Sequence, residues 1–490
     1  MALTNIIKPV LKHLKEKFLF LFLLSCISLC AQTEKSYGPV PSARQLQWSN
    51  MEFYLFVHFG PNTFTDLEWG KGTEPEDMFN PAQLDCRQWC RIAKAAGAKG
   101  IIITAKHHDG FCLWPSKYSA HTVAQSKWRN GKGDVLKELS EACKEYGLKM
   151  GVYLSPWDRN HPAYGTPAYN DVFVNMMKEV VQNYGPFFEF WWDGANGEGP
   201  NGKRQVYDWN RFEQTMRTIA PNTVVFSDIG PDIRWVGNEN GIAGDPNWNL
   251  LDTASFARGE GAPPTDTLNH GNENGKNWMP TECDVSIRPG WFYHGNEDEK
   301  VKTPEQLFQL YLKSVGRGAS LLLNVPPDRR GMINEHDSTA LAEFKKIRDE
   351  SFGNNLLANK KVTIINRGKT NYTSALTDHD DKTFGKLPGE KTVHTRYDMQ
   401  VKFSKATKIN CIVIKENIEK GQRIKKLRIV LLKNQRVIKD IEINTVGRKR
   451  IVTFPAEEPD SFLLIAEDAK ATPIINEAEA YLVDEKLIEK

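Results

Sequence analysis

Short apolar runs alternating with helical stretches constrain this chain more than any other feature. Tyr54-Leu-Phe-Val leads into His58-Phe-Gly, and Gly100-Ile-Ile-Ile-Thr-Ala into Lys106-His107-His108-Asp109-Gly. Met150-Gly-Val-Tyr-Leu leads into Ser155-Pro-Trp-Asp158, and Phe187-Phe-Glu-Phe-Trp-Trp into Asp193-Gly194. Each run has the length and the β-branched or aromatic content of a buried strand. Strand, helix, strand, helix implies parallel strands joined by crossovers. In such sheets the polar residues at the C-terminal strand ends gather on one face, where active sites form. Four runs ending in order near His, His, Tyr and Asp therefore describe a site as well as a fold.

The helical stretches carry their own punctuation. Residues 81–96 place Leu84, Trp89, Ile92 and Ala96 near helical spacing. The helix over 134–146 begins at the N-cap residue Asp134 and stops at Gly147. Further helices are predicted over 171–184, 209–219, 304–315 and 335–350. Thr223-Val-Val-Phe-Ser-Asp228 reads as a fifth strand, Trp278 to Ser286 as a sixth, and Ala319 to Val325 as another. That makes seven, and the eighth is not visible. A (β/α)8-type barrel over 32–352 is still the fold the pattern fits. Between strands, 229–277 is a long stretch rich in Gly, Asn, Asp and Pro, and loops of that length are usually lids or binding loops.

After residue 352 the period changes. Short alternating runs begin at Lys361, Gln400, Ile409, Leu427, Arg450 and Ser461, and turns separate them. This is the pattern of a β-sandwich, expected over 353–490. Leu376-Thr-Asp378-His-Asp-Asp381-Lys-Thr383, followed by Phe384, resembles a motif of galactose-binding-like, discoidin-type sandwiches. Lys402 to Arg450 is rich in basic residues, which suits a solvated face or contact with an anionic glycan.

The first residues read as a processing signal. Lys8, Lys12, Lys15 and Lys17 precede an apolar stretch from Phe18 to Leu29, and Cys30-Ala31-Gln32 offers small residues for cleavage. A signal peptide over 1–31 is expected, with export to the periplasm or medium. Leu24-Ser25-Cys26 also resembles a lipoprotein box. No other segment is long and apolar enough for a membrane helix. Cys86, Cys90, Cys112, Cys143, Cys283 and Cys411 lie beyond it. Cys86 and Cys90 stand one helical turn apart, a poor disulfide geometry, and buried free thiols are the expected state. A net charge of +3 over 490 residues argues against nucleic acid as a partner.

Asp193 is the foremost candidate for chemistry, because it closes an apolar strand and Gly194 leaves its carboxylate open. Trp191 and Trp192 alternate in direction, so one of them lines the pocket. A second carboxylate on a mobile loop would complete an acid–nucleophile pair for glycoside hydrolysis. Asp232, Glu239 and Asp245 are the candidates. Glu239, within Arg234-Trp-Val-Gly-Asn-Glu-Asn-Gly241, has the partly apolar setting that suits a general acid. Taken alone, an exposed Glu is most often simply solvated. His107 and His108 form a poor chelate if both lie on a strand, where neighbours face opposite ways. No zinc-site spacing, phosphate loop or nucleophile elbow is present, and neither a metal nor a cofactor is expected.

Phe56-Val-His58-Phe-Gly, Lys106-His107-His108-Asp-Gly-Phe, Tyr153-Leu-Ser-Pro-Trp and Trp191-Trp-Asp193-Gly together resemble glycoside hydrolase family 29, the α-L-fucosidases, over about 45–350. The Arg234–Gly241 segment and Glu282-Cys-Asp-Val-Ser-Ile-Arg-Pro-Gly-Trp291-Phe-Tyr-His294 resemble the subfamily that cleaves α-1,3/1,4-fucosyl branches. The resemblance implies a retaining double displacement on fucosylated oligosaccharides. In it Asp193 is the nucleophile and Glu239 the acid/base, with Glu282 as the fallback. His58, Glu68, Trp69, His107, His108, Tyr153 and Trp191 match positions that hold fucose, and Trp291 is a candidate wall for its methyl group. Another exo-glycosidase on the same barrel, such as an α-galactosidase, is the alternative. A non-catalytic glycan-binding protein is a third reading, disfavoured because Asp193 and Glu239 are both present.

Overall fold

The structure, a computed structural model, describes residues 35–488 except 257, 259–261, 361, 367–368 and 388–396. The expected signal peptide, 1–31, lies outside the described residues. Tyr37–Lys490 forms one compact unit. Its first part is a closed barrel of eight parallel strands: β1 (Phe53–Val57), β2 (Gly100–Lys106), β3 (Lys149–Leu154), β4 (Glu189–Trp191), β5 (Val224–Ser227), β6 (Ile233–Trp235), β7 (Thr281–Ser286) and β8 (Ser320–Asn324). β8 pairs with β1 to close the ring, with Phe53 opposite Leu321. Strands β1, β2, β5, β7 and β8 are buried along their whole length, as a sheet covered on both faces requires.

The strand missing from the sequence pattern is β6. It has three residues, lies inside the stretch read as loop, and carries Arg234 at its centre. It pairs with β5 through Phe226–Ile233 and with β7 through Arg234–Thr281. Arg234 is fully buried because it is used inward, donating to the carbonyls of Leu268 and Met279 and to Asn247 Oδ1 at 3.0 Å. The same stretch is therefore organised rather than structureless. The expected strand over Trp278–Ser286 is two elements. Asn277–Trp278 pairs with Leu250–Leu251 in a small antiparallel sheet, and β7 starts only at Thr281, after Pro280.

The helices follow their capping residues. The helix Val135–Tyr146 is capped by Asp134, which accepts from Lys137 N–H at 2.9 Å, and ends at Gly147 with φ +70°. The helix expected from Pro81 begins at Cys86 instead, where Asp85 supplies the cap. Trp209–Ile219 has the expected bounds, and Pro304–Lys313 opens with a Thr303–Gln306 capping box. The six cysteines among the described residues are free and buried.

After the helix Glu335–Phe352 the chain turns to antiparallel sheets, one of six strands and one of four. Met399, Ile412, Leu427, Ile429 and Leu464 fill the space between them. Two long strands were not visible in the sequence. Arg436–Ile443 is an edge strand with an exposed face, joined to its neighbour by Asn434 and Gln435 at positive φ. Ile474–Tyr481 carries Ala and Glu at alternating positions, a composition with little strand preference. The basic residues are largely paired: Arg428 with Asp440, Lys433 with Glu458, Arg450 with Asp245.

The sheets pack on the barrel. Cys411, Val413 and Tyr481 join one apolar cluster with Leu310, Tyr311 and Phe344. Beside it Glu52, just before β1, meets Arg448 at 3.0 Å and Lys449 at 2.7 Å. Burial by itself would raise the Glu52 carboxyl, but the two cations outweigh it and hold the group at about 2, below its ordinary 4.5. A depressed carboxylate stabilises the fold fully above the unfolded value, and that contribution fades as pH falls through 4.5 toward 2. Glu52→Gln is therefore expected to lower stability at pH 7 by roughly 1–3 kcal/mol and to flatten this part of the acid limb. Urea unfolding at pH 7 and pH 3 measures both; an unchanged midpoint at pH 7 would refute the pairing.

Candidate active site

The C-terminal strand ends converge on a cavity of about 190 Å³. Asp193, two residues past β4, projects into it. Its Oδ1 accepts the Ala195 N–H at 2.7 Å, and its Oδ2 accepts the Tyr153 hydroxyl at 2.9 Å. His108 Nε2 stands 3.6 Å from the same Oδ2. The carboxylate is thus aimed by a backbone amide and a phenol, not by a cation.

His58, His107 and His108 all line the cavity. Strand β2 has already ended at Lys106, so His107 and His108 escape strand alternation and present rings 4.1 Å apart to one space. His58 Nδ1 is held by Asn324 Oδ1 at 2.9 Å, and His108 Nδ1 by Ser155 Oγ at 2.9 Å. Burial lowers His58 to about 3, His108 to about 4 and His107 well below its ordinary value. The three rings are neutral near pH 7, suited to hydroxyl groups rather than to an anion. His107 Nδ1 is buried and has no protein partner. His107→Ala and His108→Ala are each expected to cost roughly 1–3 kcal/mol of sugar binding, read as a 5- to 150-fold weaker inhibition by free fucose. Activity lost to a chelator and restored by zinc would reject this use of the rings.

Of the paired tryptophans, Trp191 lines the cavity, stacked between Tyr153 and Phe226, while Trp192 packs away from it against Phe212 and Trp209. Trp69 stands at the mouth, 56% exposed, edge-on to His108 and Trp157. Glu68 lines the wall, but both its oxygens already serve the turn after β7. It accepts Trp291 N–H at 2.8 Å and Phe292 N–H at 3.2 Å and pairs with His294 Nε2 at 2.7 Å. Trp291 thereby sits over His58, and its indole N–H donates to Glu239 Oε2 at 3.1 Å.

The three loop carboxylates separate cleanly. Glu239 lines the cavity. Asp232 is buried between Arg44 and Arg217, and Asp245 pairs with Arg450 of the sandwich. Glu282 is buried below the cavity and does not line it. It accepts the Trp191 indole N–H at 2.8 Å and the Tyr54 hydroxyl. Burial raises both the Glu282 carboxyl and that of its neighbour Glu189, and the charge of Glu282 raises Glu189 further. Asp284 was not singled out from the sequence, yet it lines the cavity two residues on. The alternation of Glu282, Asp284 and Ser286 toward the barrel interior is the signal that would have found it. Trp235 Nε1 donates to Asp284 at 2.8 Å, and burial, then the charges of Glu282 and Glu239, raise its carboxyl well above the ordinary range.

A larger groove of about 870 Å³ lies beyond His294, between Asp66 and Arg329, but it is open and its ionic groups are paired with one another. Among the described residues one group of metal-ligating type meets, well away from this cavity: His379, Glu477 and Glu479 in the sandwich, with ligand atoms within 4.8 Å of one another.

A cavity of sugar size, walled by aromatic rings and neutral imidazoles and lined by carboxylates of which Asp193 and Glu239 are not buried in the wall or taken up by the turn after β7, is the layout of a glycosidase site. The α-L-fucosidase family model matches residues 31–347. The chain belongs to the α-L-fucosidase family. Alpha-L-fucosidase 1 of Arabidopsis thaliana is 38% identical over 481 residues, covering 95% of this chain and 93% of that one. A glycoside hydrolase 29 member from a rumen bacterium superposes with a TM-score of 0.79 at 40% identity, over 92% of this chain and 78% of that one. A Ruminococcus gnavus family 29 fucosidase, solved in complex with fucose, superposes with a TM-score of 0.81 at 28% identity, over 94% and 98% of the two chains. The α-L-fucosidases of family 29 are retaining glycoside hydrolases, and this chain is an enzyme of that family that releases fucose.

Proposed function

We propose that this α-L-fucosidase is exo-acting and prefers α-1,3/1,4-fucosylated, Lewis-type branches, with Asp193 as nucleophile and Glu239 as acid/base. The observation that carries the reading is the meeting of these two carboxylates at one cavity too small for more than a terminal sugar. In the first step an Asp193 oxygen attacks the anomeric carbon, and Glu239 protonates the departing glycosidic oxygen. In the second, Glu239 takes a proton from water as that water attacks the same carbon and frees Asp193. The configuration is retained because each step inverts it once. The neutral imidazoles and the Tyr153 hydroxyl bind the fucose hydroxyls. Trp291 and Phe56 supply apolar surface for the methyl that replaces a 6-hydroxyl.

The linkage preference rests on the Arg234–Gly241 segment and on Glu239 standing at the start of a long loop, where a second sugar beside the fucosylated one can contact it. Export through the N-terminal signal belongs to the same reading, since such glycans are extracellular. The test is fucose release from Lewis-type trisaccharides against linear α-1,2-fucosides, at matched concentration. A higher kcat/KM on the branched substrates is expected. Preference for the linear ones would overturn the linkage assignment and leave the fucosidase activity standing.

A further inference from the structure

Asp228 directly follows β5, which stands between the strand that delivers Asp193 and the strand that precedes Glu239. It is partly buried, and its carboxylate meets no donor side chain among the described residues. It packs flat on Gly194, where a Cβ would collide with it. That contact explains a glycine directly after Asp193. The free side of Asp228 faces a second cavity of about 180 Å³, whose other walls include Trp209, Ile229 and Arg258. Arg258 is held by Glu213 at 2.8 Å, with its guanidinium 6.0 Å from the Trp209 ring. Trp209, Ile229 and Arg258 also border a further groove of about 580 Å³ that continues outward past Tyr207 and Phe256.

We propose that the cavity between Asp228, Trp209 and Arg258 is a subsite for a hydroxyl-rich sugar unit of the leaving group. The inference rests on the assignment of Asp193 and Glu239 above. Asp228 follows the strand that stands between those preceding Asp193 and Glu239, and Gly194, the residue after Asp193, forms one wall of the cavity, so the cavity adjoins the site between the two assigned carboxylates. A carboxylate acceptor and a guanidinium, the latter also bonded to Glu213 and the Gly230 carbonyl, line one cavity with the apolar Trp209 and Ile229, a mix of groups that suits a neutral sugar. A half-buried carboxylate beside a second carboxylate is costly without donors, and sugar hydroxyls supply them. Burial and then the charge of Asp193 raise Asp228 to about 6, in keeping with that shortage. The outer groove has room for the next unit of the chain.

The experiment compares wild type, Asp228→Ala and Asp228→Asn on a fucosylated oligosaccharide that the wild type cleaves and on 4-nitrophenyl α-L-fucoside. Asp228→Ala is expected to lose roughly 10- to 100-fold in kcat/KM on the oligosaccharide and far less on the aryl fucoside, with Asp228→Asn recovering most of the loss. The defucosylated product should inhibit wild-type aryl-fucoside hydrolysis more strongly than that of Asp228→Ala. Equal losses on both substrates would make Asp228 an electrostatic neighbour of Asp193 and overturn the subsite, as would no loss on either. A wild type that prefers linear fucosides would defeat the linkage assignment alone, because the variant-to-wild-type ratio on that substrate still measures the subsite.

Discussion

Asp193→Ala and Asp193→Gly are expected to lower turnover by roughly three orders of magnitude or more while leaving the fold intact. The geometry separates the two effects. The side chain is 24% exposed, and among the described residues its polar partners are the Tyr153 hydroxyl, the Ala195 amide and His108, so its removal opens no core cavity. What disappears is the oxygen that attacks the anomeric carbon. The vacated space lies on the face opposite the leaving group, and a small anion can enter it. Azide should restore part of the activity and yield β-L-fucosyl azide, since a single displacement inverts the α-fucoside. Thermal unfolding and fucose binding should stay near wild type. A variant that turns over substrate at wild-type rate, or a rescued product of α configuration, would remove Asp193 from the role of nucleophile.

Most of the frame that positions Asp193 was legible because buried parallel strands announce themselves. Ile101, Ile102 and Ile103 or Leu321, Leu322 and Leu323 cannot sit anywhere but a sheet covered on both faces, and the polar residue ending each run marks the catalytic rim. Ile233-Arg-Trp235 gave no such signal. Its central residue is a cation, whose burial is made tolerable by the carbonyls of Leu268 and Met279 and the amide oxygen of Asn247, all distant in sequence. The site divides in the same way. Residues that close the apolar runs, His58, His107, His108 and Asp193, were readable from position. Glu239 follows the strand that went unseen; its partly apolar setting favoured it among three loop carboxylates, and the resemblance to family 29 gave it the acid/base role. Asp284 was within reach of the strand alternation that Glu282 and Ser286 share with it. Asp228 was missed for another reason: its role depends on what stands across from it, Gly194 and Trp209, and spacing along the chain does not report that.

Glu239→Ala is expected to divide substrates by leaving group. Natural glycosidic oxygens depart as strongly basic alkoxides unless protonated, so kcat/KM on oligosaccharides should fall by roughly 10²- to 10⁴-fold. Activated aryl fucosides need little protonation, and their first step should survive. Their second step lacks the base that activates water, so the fucosyl-enzyme accumulates and a burst of phenolate precedes slow turnover. Azide, needing no base, should relieve that block and give α-L-fucosyl azide, the opposite anomer to the one expected from Asp193→Ala. Trp291→Phe removes the indole N–H that holds Glu239 Oε2 at 3.1 Å, and should show a weaker version of the same leaving-group dependence. Equal loss on both substrate classes, with no burst, would mean that Glu239 is not the acid. The carboxyl to test next by the same comparison is then Asp284, which lines the cavity, before Glu282, whose oxygens are taken up beneath Trp191.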